Sequence, residues 1–370
     1  RDGTTLAPRI ALRPFAQRMN RSSLPLLALS LLSLAACTNK GGADTTTQPA
    51  ADSARVVNVY THRHYETDKQ LFAQFTKETG INVKVIMADD DELLSRLEAE
   101  GQNSPADIII TADAGRLGLA RQRGYLKPVK SAILEAAIPA HLRDPEGHWF
   151  GFTMRARVFA YDKSKVKPEE LRTYADLTKP RFKGKVLVRP ADNVYNQSLV
   201  AAMVAHDGPE KAQAWCAGVV ANMARDPKGS DTDQLLAIGE GQGEVAIANS
   251  YYIGKLLTSD DPARQKARNA IGVVFPDLDG RGTHVNISGG GVAKHAKHEA
   301  EAIKLLEFLV SDEAQRLFAE GNMEFPVKAG IPAAQVLQGF GAFTPDTLDL
   351  AKLGSNNAAA VKVLEASGWK

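Results

Sequence analysis

WFGFTMRARVFAYD, residues 149–162, decides the fold. Its aromatic residues suit an extended chain, yet it is long for one strand, since most strands run to about five or six residues. Such a length predicts a strand that passes between two domains, and the sequence on either side supplies a domain each way.

Upstream, VVNVY (56–60) reads as a strand, followed by a polar loop to Asp68. KQLFAQFTKETG (69–80) then places Leu71, Phe72 and Phe75 at helical spacing, with Gly80 as a stop. INVKVIM (81–87) alternates as a strand, DELLSRLEAEG (91–101) is an amphipathic helix ending at Gly101, and ADIIIT (106–111) is a buried strand. A helix around LGLARQRG (117–124) follows. This strand–helix rhythm predicts a parallel sheet covered by helices. Downstream comes a second α/β set: KVLV (185–188), helices near 196–205, 210–222 and 232–239, and EVAIAN (244–249). HVNISGGGVA (284–293) reads as a strand crossing back, and EAIKLLEFLVSDEAQRLFAE (301–320) as one strong helix. The expected fold is α/β and two-lobed, each lobe a sheet flanked by helices and the two joined by crossing hinge strands. Lobe one takes residues 55–153 plus 280–325, and lobe two 154–279 plus 326–370. No internal repeat is evident.

The opening of the chain reads differently. Leu24 to Ala36 is LPLLALSLLSLAA, uncharged and mostly leucine, preceded by the basic Arg21. The run is shorter than the roughly 20 residues that span a bilayer and has the layout of a secretory signal peptide. Met19 is the natural initiator, so residues 1–36 are expected to be an upstream extension plus signal peptide. The segment ends Leu34-Ala35-Ala36-Cys37, which resembles the lipobox of bacterial lipoproteins; Cys37 would then carry the lipid. Residues 37–54 are small, polar and low in complexity, and read as a flexible tether. Cys216, the other cysteine, sits in the apolar AQAWCAGVV and is expected to be a buried core thiol.

Without residues 1–36, Lys plus Arg falls from 45 to 40 and Asp plus Glu from 43 to 42. The formal charge moves from +2 to −2, so the basicity belongs to the leader. Nothing in the remaining chain suggests a nucleic-acid surface. An enzyme is also not expected: HExxH, GxSxG and CxxC are all absent. Gly289-Gly290-Gly291 lacks the Lys-Ser/Thr of a phosphate loop and reads as backbone crowding, and the glycines from Gly239 to Gly243 read as a turn.

Four tyrosines stand out by location. Tyr65 follows the first strand, Tyr195 lies between a strand and a helix, and Tyr251 and Tyr252 follow EVAIANS where a strand yields to a helix. Ligands of open α/β sheets gather at the carboxyl ends of strands, so all four would face one region. Alone, a Tyr-Tyr pair is more often core packing with a hydroxyl hydrogen bond. His295 and His298, spaced i,i+3, flank lysines and are expected in solvent.

YTHRHYETD (60–68), GFTMRARVFAYDK (151–163), NVYNQSLVA (193–201), ANSYYIG (248–254) and GRGTHVNISGGG (280–291) resemble the periplasmic ferric-iron-binding proteins of ABC transporters, the bacterial transferrins. The likeness runs from about Val56 to about Pro332 in motif order and spacing. More narrowly, the chain is similar to members that hold iron with one histidine and four tyrosines without relying on carbonate. The resemblance implies His64, Tyr65, Tyr195, Tyr251 and Tyr252 as metal ligands. Thr61-His62 departs from the small hydroxyl residues common in relatives, which leaves His62 beside His64 as a histidine able to reach the metal. The resemblance further implies Fe³⁺ as transported ligand, an ABC permease and its ATPase as partners, and a periplasmic monomer tied to the membrane only through its lipid.

The chemistry agrees. Ferric iron prefers hard anionic oxygen, and phenolate is one. A free tyrosine titrates near 10, so ionising it at neutral pH costs roughly 4 kcal/mol. A trivalent cation reverses that cost through its own field. Four phenolates on Fe³⁺ leave a local charge of about −1, which Arg63, Arg155 and Arg157 could balance; their bland alternative is surface salt bridging. Two other ligand classes compete: an organic or oxyanion solute in the same cleft, and a zinc site on His62 and His64.

Overall fold

Strand β1 (Val56–Thr61) leads into helix α1 (Glu66–Thr79), β2 (Asn82–Met87), α2 (Asp90–Glu100), β3 (Ile108–Thr111) and α3 (Ala114–Gln122). The computed structural model describes residues 55–63 and 65–370. The signal peptide, Cys37, the tether and His64 therefore lie outside the described residues. Helix α1 starts at Glu66, before the expected end of the loop at Asp68, because Tyr65 takes the extended cap conformation and its carbonyl accepts the Asp68 amide. It stops where Gly80 turns left-handed at φ 70°, a conformation glycine adopts without steric cost.

Helix α4 (Ala132–Ala137) precedes β4 (Phe150–Asp162), the 13-residue strand that its sequence predicts. The chain continues through β5 (Val186–Leu187), α5 (Val194–Asp207), α6 (Pro209–Asn222), α7 (Asp231–Gly239), β6 (Val245–Asn249) and α8 (Ser250–Leu257). Then come α9 (Gln265–Ala270), β7 (Ile271–Val274), β8 (Val285–Val292), α10 (Glu299–Leu309), α11 (Asp312–Asn322) and β9 (Phe325–Pro326). The run 301–320 is thus two helices rather than one. Ser311 breaks it by accepting the Ala314 amide as an N-cap, which outweighs the apolar periodicity on both sides.

The sheet order is β2-β1-β3-β8-β4-β6-β5, with β7 and β9 also on β4. Strands β1, β2 and β3 pair in parallel, as do β5 and β6, but β8 and β4 run antiparallel to their neighbours. The sheet is therefore mixed, not parallel throughout, because the strands returning through the middle reverse direction. The first half of β4 pairs with β8 and β9, and its second half with β6 and β7. One long strand thereby serves two half-sheets, each flanked by helices: a two-lobed α/β fold.

Backbone crowding at the triple glycine holds. A Cβ on Gly289 would stand 2.4 Å from the Phe150 carbonyl oxygen, and one on Gly291 would stand 2.1 Å from that of His148. Only glycine lets β8 lie this close to the entry of β4. Cys216 is fully buried in α6, and burial pushes its thiol up to about 12.

Candidate metal centre

The four tyrosines meet at the carboxyl ends of β1 and β6 and at the start of α5. Each is placed by a local device. Arg63 anchors the turn after β1, its amide bonding the Thr61 hydroxyl at 3.0 Å, and this leaves Tyr65 as the cap of α1. Asn193 caps α5 by accepting the Tyr195 amide at 3.1 Å. Ser250 begins α8 and accepts the Ala156 amide from β4 at 3.2 Å, which pins the start of the helix against the long strand.

The hydroxyls of Tyr195 and Tyr251 lie 3.2 Å apart, and the Tyr251 and Tyr252 rings stack with centroids 4.3 Å apart at 30°. Tyr65 joins the same group, with the Tyr251 and Tyr252 phenols beside its own. Burial pushes the Tyr195 and Tyr251 phenols well above their ordinary range, and the neighbouring phenols push them further. Tyr65 is raised by burial and by the Glu324 carboxylate. Without a cation these three are neutral phenols at neutral pH, because burial disfavours a phenolate here and a second one beside it would repel it.

Cations surround the cluster. The Arg63 guanidinium stands 4.7 Å from the Tyr65 ring centroid, and those of Arg155, Arg157 and Arg189 stand 5.7, 5.8 and 5.2 Å from the ring of Tyr195. Surface salt bridging does not describe them: Arg63, Arg155 and Arg157 are buried. They differ in what meets their charge. Arg63 bonds Asp68 at 2.8 and 2.9 Å and reaches Glu324 at 3.4 Å. Arg157 pairs with Asp231 at 2.8 Å and bonds Asn196 at 3.0 Å, which ties β4 to α7 and α5. Among the described residues, Arg155 donates only to the Ser288 hydroxyl, at 3.0 Å, and its Nε and Nη2 find no acceptor. Of the three arginines, it is the one that no carboxylate pairs with among the described residues, while Arg63 also bears on the Tyr65 phenol.

Two further residues belong here and escaped the sequence reading. Glu324 is buried just after α11, accepts from Ser288 at 3.2 Å and faces Arg63, so it links the two arginine groups. Lys255 stands one helical turn beyond Tyr251 on α8, with its ammonium 4.5 Å from the Tyr65 ring and 5.5 Å from the Tyr251 ring. The i,i+4 spacing from Tyr251 could have flagged Lys255; nothing local flags Glu324. His62 is half-buried at the end of β1. His295 is exposed as expected; His298 is partly exposed, with its Nδ1 2.9 Å from the Asp107 carboxylate. Among the described residues, no three His, Cys, Asp or Glu side chains group to hold a metal. The hard donors at this site are phenolic.

The family model for bacterial extracellular solute-binding proteins matches residues 103–339. The chain is 50% identical to iron uptake protein A1 of Synechocystis sp., over 87% of this chain and 90% of that one. Among solved structures, a Trichodesmium protein described as IdiA or FutA in complex with iron and citrate is 48% identical. It covers 85% of this chain and 100% of its own, with a TM-score of 0.82. The ferric binding protein from Campylobacter jejuni is 41% identical over 85% of this chain and 100% of its own, with a TM-score of 0.81.

Proposed function

The chain belongs to the bacterial extracellular solute-binding protein family, and we propose that it captures ferric iron outside the cytoplasmic membrane and delivers it to an ABC-type import permease. The observation that carries this reading is the convergence of Tyr65, Tyr195, Tyr251 and Tyr252, with Tyr195 and Tyr251 hydroxyls 3.2 Å apart in a buried ring of cations. Iron uptake by the Synechocystis relative and bound iron in the Trichodesmium structure support it.

In this reading His64, Tyr65, Tyr195, Tyr251 and Tyr252 donate to Fe³⁺. Residues 55–153 plus 280–325 form one lobe, carrying His64 and Tyr65; residues 154–279 plus 326–370 form the other, carrying the remaining tyrosines. Iron bridges the lobes and favours their closed arrangement, since only that arrangement offers every donor at once. As the cation binds, the phenols release their protons to solvent, and Arg155, Arg63 and Lys255 offset the excess negative charge. The protein performs no catalysis, acts as a monomer with the permease and its ATPase, and is held at the membrane through lipid on Cys37.

The test is optical. Ferric citrate added to the protein should produce a tyrosinate-to-iron charge-transfer band. Tyr251→Phe combined with Tyr252→Phe should remove both the band and high-affinity binding while leaving circular dichroism unchanged. A colourless wild-type protein in excess Fe³⁺ would rule the reading out, and an organic or oxyanion solute would then be the better ligand.

A further inference from the structure

Helix α7 opens on Asp231, but its N-terminus is capped without that residue's side chain. The Ser230 hydroxyl accepts the Asp233 amide, and the Asp233 carboxylate accepts that of Ser230 at 2.6 Å. The Asp231 carboxylate turns instead to β4, where it is fully buried. Both its oxygens accept from Nη1 of Arg157, at 3.0 and 2.8 Å, and the nearer one also accepts the Asn249 amide at 3.1 Å.

Arg157 carries the contact on to both helices that bear the tyrosines. Its Nη2 donates to the Asn196 side chain at 3.0 Å, and Asn196 directly follows Tyr195 on α5. Asn196 is locked in turn, since its side-chain nitrogen donates to the Arg189 and Pro190 carbonyls at 2.9 and 3.1 Å. Nη1 of Arg157 reaches the Asn249 side chain at 3.3 Å. Asn249 is the cap residue of α8, two positions before Tyr251, and stands opposite Arg157 in the β4–β6 ladder. An asparagine in that place ordinarily accepts an amide from the first turn. Here it makes no such bond and faces the guanidinium.

The pair is deeply buried, with Arg157 2% exposed and Asp231 0%. Such a pair gives little net stability over apolar side chains of the same volume, because both charges must leave water. What it supplies here is placement. We propose that Asp231 is a positioning residue for ferric capture: by holding Arg157 it fixes α5 against α8, and so sets the 3.2 Å separation of the Tyr195 and Tyr251 hydroxyls. That role rests on the proposed capture of iron, whereas the spacing belongs to the iron-free protein. Donor sets of this kind must be held within about 0.5 Å of their productive geometry.

The test uses the full chain with ferric citrate. Asp231→Asn should weaken ferric binding by about 10- to 100-fold, the range for residues that orient metal ligands. It should also lower the charge-transfer absorbance per bound iron, because a displaced Tyr195 no longer donates. Loss of a nearby charge alone would weaken binding but leave that absorbance as in wild type. Removing one partner of a buried pair is destabilising, so Arg157→Met combined with Asp231→Leu replaces both with apolar side chains. This double variant should melt near the wild-type midpoint and show the same loss of absorbance per iron. Crystals of the iron-free double variant should place the Tyr195 and Tyr251 hydroxyls beyond hydrogen-bond distance. Hydroxyls still in contact, wild-type absorbance per iron, tighter binding by Asp231→Asn, or failure of both variants to fold would each overturn the proposal. A colourless wild-type protein would overturn the iron reading instead, and the hydroxyl separation would still decide whether Asp231 sets the spacing.

Discussion

Lys255 holds its ammonium 4.5 Å from the centroid of the Tyr65 ring. The two residues come from helices far apart in sequence, α8 and the cap of α1, and the same ammonium lies 5.5 Å from the ring of Tyr251. Burial pulls the Lys255 amine below its ordinary range, against the opposing pull of Glu324. A charged group kept in a desolvated place beside two phenols is suited to stabilise them once they ionise.

Removing that charge should therefore weaken iron capture without harming the fold. Lys255→Met keeps the length of the side chain and should lower ferric affinity by about tenfold, or about 1.4 kcal/mol, the scale of one desolvated cation–π contact. Lys255→Arg should retain most of it. Competition against citrate measures both, and an unchanged affinity in Lys255→Met would remove the lysine from the charge balance.

The phenols set the pH dependence. Tyr195 and Tyr251 are raised by burial and by the Tyr252 and Tyr65 phenols beside them, so the empty site holds their protons through the neutral range. With the proposed ligands, loading should expel them, and iron affinity should fall as pH falls, by about a factor of ten per pH unit for each proton released. Potentiometric titration during loading counts the protons. An affinity that stays flat between about pH 6 and pH 8 would mean that the tyrosines bind as neutral groups or not at all.

Much of this was legible in the chain and some was not, for physical reasons. The length of 149–162 announced a strand shared between two half-sheets, because a strand's reach is fixed by its residue count. The tyrosines were visible because they sit where strands give way to helices. Strand direction was hidden: apolar runs such as ADIIIT look alike in parallel and antiparallel neighbours, and β8 returns from far along the sequence. Glu324 was hidden for the same reason, since its partner Arg63 lies 261 positions away. Lys255 carries no local signal beyond its spacing from Tyr251, since its other partner, the Tyr65 ring, comes from far along the chain.

The triple glycine offers a stability test. Gly291→Ala would place a methyl carbon 2.1 Å from the His148 carbonyl oxygen, a backbone atom that cannot swing aside. The strand must shift, at a cost of about 1–3 kcal/mol. Thermal denaturation should show a lower midpoint for Gly291→Ala than for wild type. Gly330→Ala is the control: it lies at φ 84° with nothing within 4 Å of the added carbon, so it reports backbone strain alone. If the two variants lose stability equally, crowding at β8 is not the cause.

Acid stability should turn on His284. Burial, reinforced by the charges of Arg157 and Arg155, pulls its imidazole down to about 3. The unfolded chain takes up this proton near the ordinary histidine value of about 6.5, which the folded chain refuses until far lower pH. The unfolded state therefore binds more protons across that window. The histidine's contribution is complete above about pH 6.5, declines as pH falls, and stops declining below about pH 3, for a total of a few kcal/mol at most. His284→Gln removes the titrating group while keeping a polar side chain. It should shallow the loss of stability between about pH 7 and pH 5 by about 2 kcal/mol, read as the shift of urea midpoints at each pH. If wild type and variant lose stability in parallel over that range, the imidazole is already protonated in the folded protein, and its two arginine neighbours do not exclude the charge.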